Sequence, residues 1–217
     1  MAEDDERRQQ VVDHDQYEVG RLLALSDGVF AIAMTLLVLG IPVPQLTNPS
    51  DTDLQGALRN VLPDVGSFAL SFLLVGTYWM AHRRLLKGVV RTDARLIWLN
   101  LLMLLLVCMV PFTAAVLSRY GSLATAVIIY AANLALLGLS SLVLRLQSWL
   151  LLSVPPSRRE REGTLIISLV GVAVFAISIP IALWSPSLGE YSWLLVFVVG
   201  VIFGRRLRNL ERQRPRR

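Results

Sequence analysis

Long apolar stretches separated by polar segments dominate this chain. Six of them approach 20 residues, the length at which an α-helix crosses the hydrocarbon core of a bilayer. Helices are expected because a segment without access to water must pair its backbone polar groups internally. The pattern therefore predicts an all-α membrane protein with six transmembrane helices per chain, at approximately 22–41, 62–82, 96–117, 123–144, 164–184 and 189–204.

Proline residues lie at both ends of the predicted connection between the first two helices. Pro42 and Pro44 stop the first helix, and a loop rich in Pro, Asn, Ser and Asp follows. Pro63 is expected to open the second helix, where the N–H that proline lacks would have no partner anyway. The predicted organisation is a cytoplasmic N-terminal segment (1–20), one six-helix transmembrane domain (21–207) and a basic cytoplasmic tail (208–217).

The basic residues predict the orientation of these helices. With both termini in the cytoplasm, 19 of the 21 Lys and Arg residues fall on the cytoplasmic side, and Arg59 and Arg119 lie outside. The sequence pI near 10 then follows from topology and requires no nucleic-acid partner. Since 54% of the residues are hydrophobic, membrane lipids are the expected surroundings.

Residue types that carry out catalysis or bind metals are scarce. His14 and His82 are the only histidines, and Cys108 is the only cysteine, so neither an intramolecular disulfide nor a cysteine-built metal site is possible. We identify no glycine-rich phosphate loop, no metal-ligand spacing and no Ser-His-Asp arrangement. The chain is therefore not expected to be an enzyme, and neither a cofactor nor a resident metal is predicted.

The first apolar stretch carries a regular aliphatic face. On a helical wheel with Ile32 at zero, the residues that fall within about 40° are Leu25, Gly28, Leu36 and Leu39, with Thr35 at the edge near −60°. Asp27 falls almost opposite this stripe. On its own, such a stripe more often marks helix packing than a pore lining.

Polar residues collect at the cytoplasmic level of the first three helices. Asp27 needs a partner, because an unpaired charge inside a bilayer is costly. Arg21, His82 and Asn100 are predicted at a similar depth, and with Ser26 they are expected to form a polar cluster that holds the first helix in one orientation. For each of these residues, a simple structural hydrogen bond is the alternative interpretation.

The first three predicted helices share a set of motifs with a known family. In the first helix these motifs are Arg21, 26–33 and Thr35-Leu36-Leu37. The second helix has Ser67-Phe68, Ser71-Phe72, Tyr78-Trp79 and His82, and the third has Asn100-Leu101-Leu102 and Pro111-Phe112. Over roughly 21–117 the chain thereby resembles the transmembrane protein 175 family of potassium channels, whose signature lies in the first helix. Leu25 departs from the signature, which has Phe at that position. On these residues the chain is identified as a bacterial member of the family.

The resemblance implies a passive, potassium-preferring channel of the bacterial inner membrane. Six-helix subunits would assemble as a homotetramer around a central pore, with potassium ions passing transiently. Rings of Ile32, Leu36 and Leu39 would form the hydrophobic constriction, with Thr35 as a hydroxyl layer associated with cation selectivity. The implied structural motif of the first helix is Arg21, Leu25, Ser26 and Asp27, supported by a polar network of His82 and Asn100.

Two other functions stay open on the sequence. A proton-coupled or other cation transporter is motivated by Asp27, His82 and Asn100 lying at one depth. A non-conducting structural membrane subunit would use the first helix for packing alone. We find no inverted repeat across the two halves, which is the usual sequence pointer to a secondary transporter. Saturable, pH-coupled flux would distinguish a transporter from a passive channel.

Overall fold

The computed structural model describes residues 2–47 and 50–194, with side chains from residue 15 onward. Within these ranges the regular structure is helical, apart from one isolated β-bridge. The helices are α1 (Ala2–Leu36), a 3-10 helix (Leu37–Gly40), α2 (Asp51–Leu86), α3 (Ala94–Tyr120), α4 (Ala124–Trp149), α5 (Arg158–Trp184) and α6 (Pro186–Ser192).

Five of the described helices are long and apolar enough to cross a membrane. The prediction of an all-α membrane protein is therefore confirmed. The sixth predicted span, 189–204, overlaps the short α6 and then leaves the described residues after 194. The predicted basic tail, 208–217, lies wholly outside them.

The first membrane-spanning segment is part of a longer helix. α1 begins at Ala2 and passes residue 20 without interruption, and its apolar segment covers Asp15–Gly40. The helix tightens into the 3-10 turn and ends at Ile41, whose backbone is extended with ψ 117°. Ile41 precedes Pro42, and the residue before a proline is pushed out of the α region by steric clash with the ring.

The start of α2 corrects a prediction from the sequence. Pro63 does not open this helix but lies well inside it, because α2 begins at Asp51. Ser50 caps the helix by accepting a hydrogen bond from the N–H of Asp53 at 3.2 Å, and the two acidic residues of the first turn favour the positive end of the helix. These local signals extend the helix upstream of the proline, and the predicted loop is correspondingly shorter.

The core of the bundle lies around α4. This helix packs against α3 on one side and α5 on the other, whereas α1 packs mainly on α3 and α2. Gly138 permits the close approach of α4 to α5, since a Cβ at this position would lie 2.9 Å from Cγ2 of Val172. Because α1 lies at the periphery of the described residues, one of its faces has no packing partner among them.

Candidate pore-lining face and its polar network

The two faces of α1 differ sharply in exposure. Ile32 and Leu39 are 61% and 76% exposed in the single chain, and Leu36 is 44% exposed. Phe30 and Ala33, on the opposite side, are 0% and 3% exposed. The aliphatic stripe predicted from the helical wheel is therefore a solvent-accessible face of the subunit, and the packing within the chain uses the other face.

The 3-10 turn at the end of α1 aligns two residues of this face. A uniform α-helix would offset Leu39 from Leu36 by about 60° around the axis. Residues separated by three positions eclipse one another in a 3-10 helix, and Leu39 lies within the 3-10 turn that follows Leu36. The two leucines are thereby brought into line along one side of the helix.

Thr35 lies at the edge of the same exposed face. Its hydroxyl donates a hydrogen bond to the backbone carbonyl of Ile32 at 2.8 Å. The proton is therefore directed toward the helix, and the oxygen lone pairs point away from it. Such an oxygen is able to contribute to the solvation of a cation.

Ser26, Asn100 and His82 form a buried hydrogen-bond network across α1, α2 and α3, which we call the polar network. The amide of Asn100 donates to Oγ of Ser26 at 3.1 Å, and its oxygen lies 2.7 Å from Nε2 of His82. All three residues are fully buried. In this amide orientation, His82 donates from Nε2, and its Nδ1 has no hydrogen-bond partner in the described part of the chain.

The observed hydrogen-bond partner of Asp27 differs from the three that the sequence suggested. Asp27 was expected to pair with Arg21, His82 or Asn100, but its carboxylate accepts a hydrogen bond from Nε1 of Trp79 at 2.7 Å. Trp79 precedes His82 by three residues on α2, so both side chains emerge on one side of that helix. The spacing in the sequence places Trp79 on the same side of α2 as His82, whereas its pairing with Asp27 depends on how α2 packs against α1.

Arg21 lies outside the polar network. Its guanidinium contacts the carboxylate of Glu18 at 3.2 Å and lies 5.9 Å from the ring centre of Tyr17. Both interactions lie within α1. Leu25 and Arg21 continue the exposed stripe of this helix toward its cytoplasmic end, so both side chains face away from α2 and α3. Leu25 is likewise exposed and makes no hydrogen bond to the polar network.

Comparisons with known proteins agree on one family. The profile of the family described as "Endosomal/lysosomal potassium channel TMEM175" matches residues 21–111. A potassium channel of Streptomyces collinus is 44% identical over 103 residues, which are 48% of this chain and 49% of the relative. A potassium channel of Chamaesiphon minutus is 43% identical over 106 residues, or 49% of this chain and 52% of the relative. The chain thus spans about half the length of the curated relatives it matches.

The similarity to a solved structure extends over nearly the whole fold. The crystal structure of a lysosomal potassium-selective channel TMEM175 homolog from Chamaesiphon minutus superposes with a TM-score of 0.74 at 30% identity. The match covers 88% of this chain and 98% of that one. Since this is a family of ion channels, the expectation that the chain is not an enzyme is confirmed. The described chain is a multi-pass membrane protein with bacterial relatives, and it belongs to the TMEM175 family.

Proposed function

We propose that the chain is a potassium-preferring passive channel that works as a homotetramer in the bacterial cytoplasmic membrane. The observation that carries the proposal is the division of α1 into two faces. One face is anchored in its own subunit by the polar network, and the other exposes Ile32, Leu36 and Leu39. Four copies of the exposed face around a common axis form a narrow, aliphatic passage.

The chemistry of this face suits a pore that is closed or opened by hydration. Aliphatic rings solvate an ion poorly, so a constriction built from them controls conduction by wetting and dewetting. Ile32 is the first residue of the exposed trio from the cytoplasmic side, and the oxygen of Thr35 follows within one helical turn. An ion that passes Ile32 with its water therefore reaches a ring of hydroxyl oxygens.

The names of the bacterial relatives support potassium as the transported ion. The Streptomyces and Chamaesiphon proteins are both named potassium channels, and the homologous crystal structure is titled potassium-selective. The family profile covers α1 from Arg21 onward. The residues that would line the passage therefore lie within the part of the chain that the profile matches.

Replacement of Ile32 by asparagine tests the proposed constriction. The purified protein is reconstituted in planar bilayers, and single-channel currents are recorded in potassium against sodium. We expect Ile32→Asn to increase conductance or to reduce the preference for potassium, because an amide hydrates the narrowest ring. Ile177→Asn is the matched control, since Ile177 lies on α5 and is similarly exposed at 58%.

The same recordings distinguish the competing functions. Potassium current without ATP that responds to Ile32→Asn and not to Ile177→Asn supports the channel. Unchanged current after simultaneous replacement of Ile32, Thr35, Leu36 and Leu39 refutes this pore. Saturable, pH-coupled flux that stops with Asp27→Asn indicates a transporter, and silent bilayers containing folded tetramers indicate a structural subunit.

A further inference from the structure

A small cavity lies at the outer end of α1, as the basic residues orient the bundle. Its walls come from the 3-10 turn, α2 and α3, and its polar members are Gly40, Asp64, Ser67 and Ser118. The free space is about 10 Å³, which is the size of one water molecule or one small ion. All four of these residues are half-buried, so a ligand can reach them from solvent.

Asp64 is the one charged residue among those that line this cavity. Its Oδ1 accepts a hydrogen bond from the hydroxyl of Ser118 on α3, and its Oδ2 has no partner in the described part of the chain. The ion pairs found in that part lie within α1 and within α5 and do not involve Asp64. A carboxylate that is partly removed from water without a cation carries a desolvation cost, which a bound cation offsets.

Ser67 adds a second oxygen to the cavity. It follows Asp64 by three residues, so both side chains lie on one side of α2. The buried serines Ser26, Ser140 and Ser178 each donate a hydrogen bond to a backbone carbonyl of their own helix. The hydroxyl of Ser67 makes no hydrogen bond within the described residues, although it lies inside a helix. Its oxygen is therefore available to a ligand.

The backbone at Gly40 supplies the third kind of oxygen. Because glycine has no side chain, backbone atoms form its part of the wall. Gly40 is the last residue of the 3-10 turn, and its carbonyl accepts no hydrogen bond from the residues that the structure describes. The last carbonyls of a helix carry a partial negative charge that favours a nearby cation. The cavity thus combines a carboxylate, a hydroxyl and the negative end of a helical turn.

This set of oxygens suits a hard cation of single charge. Carboxylate and carbonyl oxygens are the ligands of hard metal ions, and carbonyl oxygens can replace the hydration shell of potassium. Calcium and magnesium carry two charges, whereas the single carboxylate of this cavity balances one. We propose that each subunit binds one alkali-metal cation, sodium or potassium, between Asp64, Ser67 and the backbone at Gly40.

A cation at this position joins the outer end of α1 to its own subunit. Asp64 and Ser67 belong to α2, Ser118 belongs to α3, and Gly40 belongs to the turn that ends the first helix. The polar network holds the same helix nearer to the cytoplasm. The exposed stripe of α1 is therefore braced at both ends. The inference concerns each subunit by itself and does not rest on the proposed channel activity.

Thermal unfolding of the full chain in detergent tests the site. Unfolding is followed by tryptophan fluorescence in potassium chloride or sodium chloride, and the reference is N-methylglucamine chloride of equal ionic strength, because this organic cation is too large for the cavity. For a site with a dissociation constant of about 10 mM, about 100 mM cation raises the unfolding midpoint by about 3–6 °C. We expect this rise to be lost in Asp64→Asn and reduced in Ser67→Ala. Asp51→Asn, which removes an exposed carboxylate from the same helix, is the control and keeps the rise.

The comparison among the variants separates this cavity from other ion sites. An ion in the proposed passage stabilises all four proteins alike, so the difference between them reports the cavity. Equal shifts in the original protein and the three variants, or no shift with either cation, overturn the proposal, since the cavity then holds water only. Ser67→Ala leaves the bond between Ser118 and Asp64 intact, so it tests the site even if Asp64→Asn fails to fold.

Discussion

Replacing Asn100 by leucine removes the central residue of the polar network, which links α1 to α2 and α3. Asn100 lies on α3 and reaches Ser26 of α1 at 3.1 Å and His82 of α2 at 2.7 Å. Leucine preserves the branched shape of the side chain but makes neither bond. The substitution therefore isolates the contribution of the polar network from that of packing.

The expected loss in the free energy of unfolding follows from the two hydrogen bonds and from the polar groups that remain without partners. Hydrogen bonds between side chains of membrane helices contribute about 0.6 kcal/mol each on average and up to about 1.7 kcal/mol. Ser26 retains its bond to the carbonyl of Leu22. His82 loses the one side-chain hydrogen bond that it makes within the described residues, while its ring remains fully buried. An unsatisfied buried donor costs about 1–3 kcal/mol, so we expect Asn100→Leu to lower the free energy of unfolding by about 2–4 kcal/mol.

The chain offers a matched control for this measurement. Asn133 is a buried asparagine on α4 that makes one interhelical hydrogen bond, to Oγ1 of Thr113 at 3.3 Å. Asn133→Leu is expected to cost about 0.5–1 kcal/mol, since one long bond is lost and Thr113 keeps its bond to a backbone carbonyl. Equilibrium unfolding in mixed detergent micelles measures both variants under the same conditions.

Flux through reconstituted protein provides the second readout. If the bonds of Asn100 fix the rotation of α1 as we propose, potassium flux per amount of folded protein is expected to fall in Asn100→Leu and to be retained in Asn133→Leu. A cost for Asn100→Leu no greater than that for Asn133→Leu contradicts the argument that the polar network anchors α1. If Asn100→Leu is clearly destabilised but keeps its potassium flux, the polar network stabilises the fold without controlling conduction.

Two further substitutions test other parts of the fold. Glu18→Gln leaves the charge of Arg21 uncompensated on the stripe that we propose faces the pore. In the proposed homotetramer, the screened ring of four such cations is expected to lower outward potassium current about threefold. Glu162→Gln, in the exposed pair on α5, should leave the current unchanged, and equal effects of the two variants contradict a position at the inner mouth. Gly138→Ala places a methyl group 2.9 Å from a side chain of α5 and should destabilise the protein by about 1–3 kcal/mol in a micelle unfolding assay. Gly171→Ala, with open space around its Cβ, should be neutral or stabilising, and the opposite order of the two midpoints contradicts close α4–α5 packing.

Local chemistry explains what was predictable about the architecture. Hydropathy over about 20 residues identifies a membrane helix without knowledge of its neighbours, so the predicted bounds of α3, α4 and α5 agree with the observed helices to within six residues at each end. Pro63 misled the prediction because its preference for the first turn of a helix is only a tendency, and the cap at Ser50 came earlier in the chain. The exposed stripe of α1 was also predictable, since helical periodicity is a property of consecutive residues.

The partners of individual side chains were decided by the tertiary structure. The sequence alone determined that Asp27 needs a partner and that a polar residue of α3 would meet α1. Only the packing of α2 against α1 selected Trp79 as the partner of Asp27. The energy of a polar contact depends on distance and burial, and for residues on different helices both quantities exist only once the helices have packed.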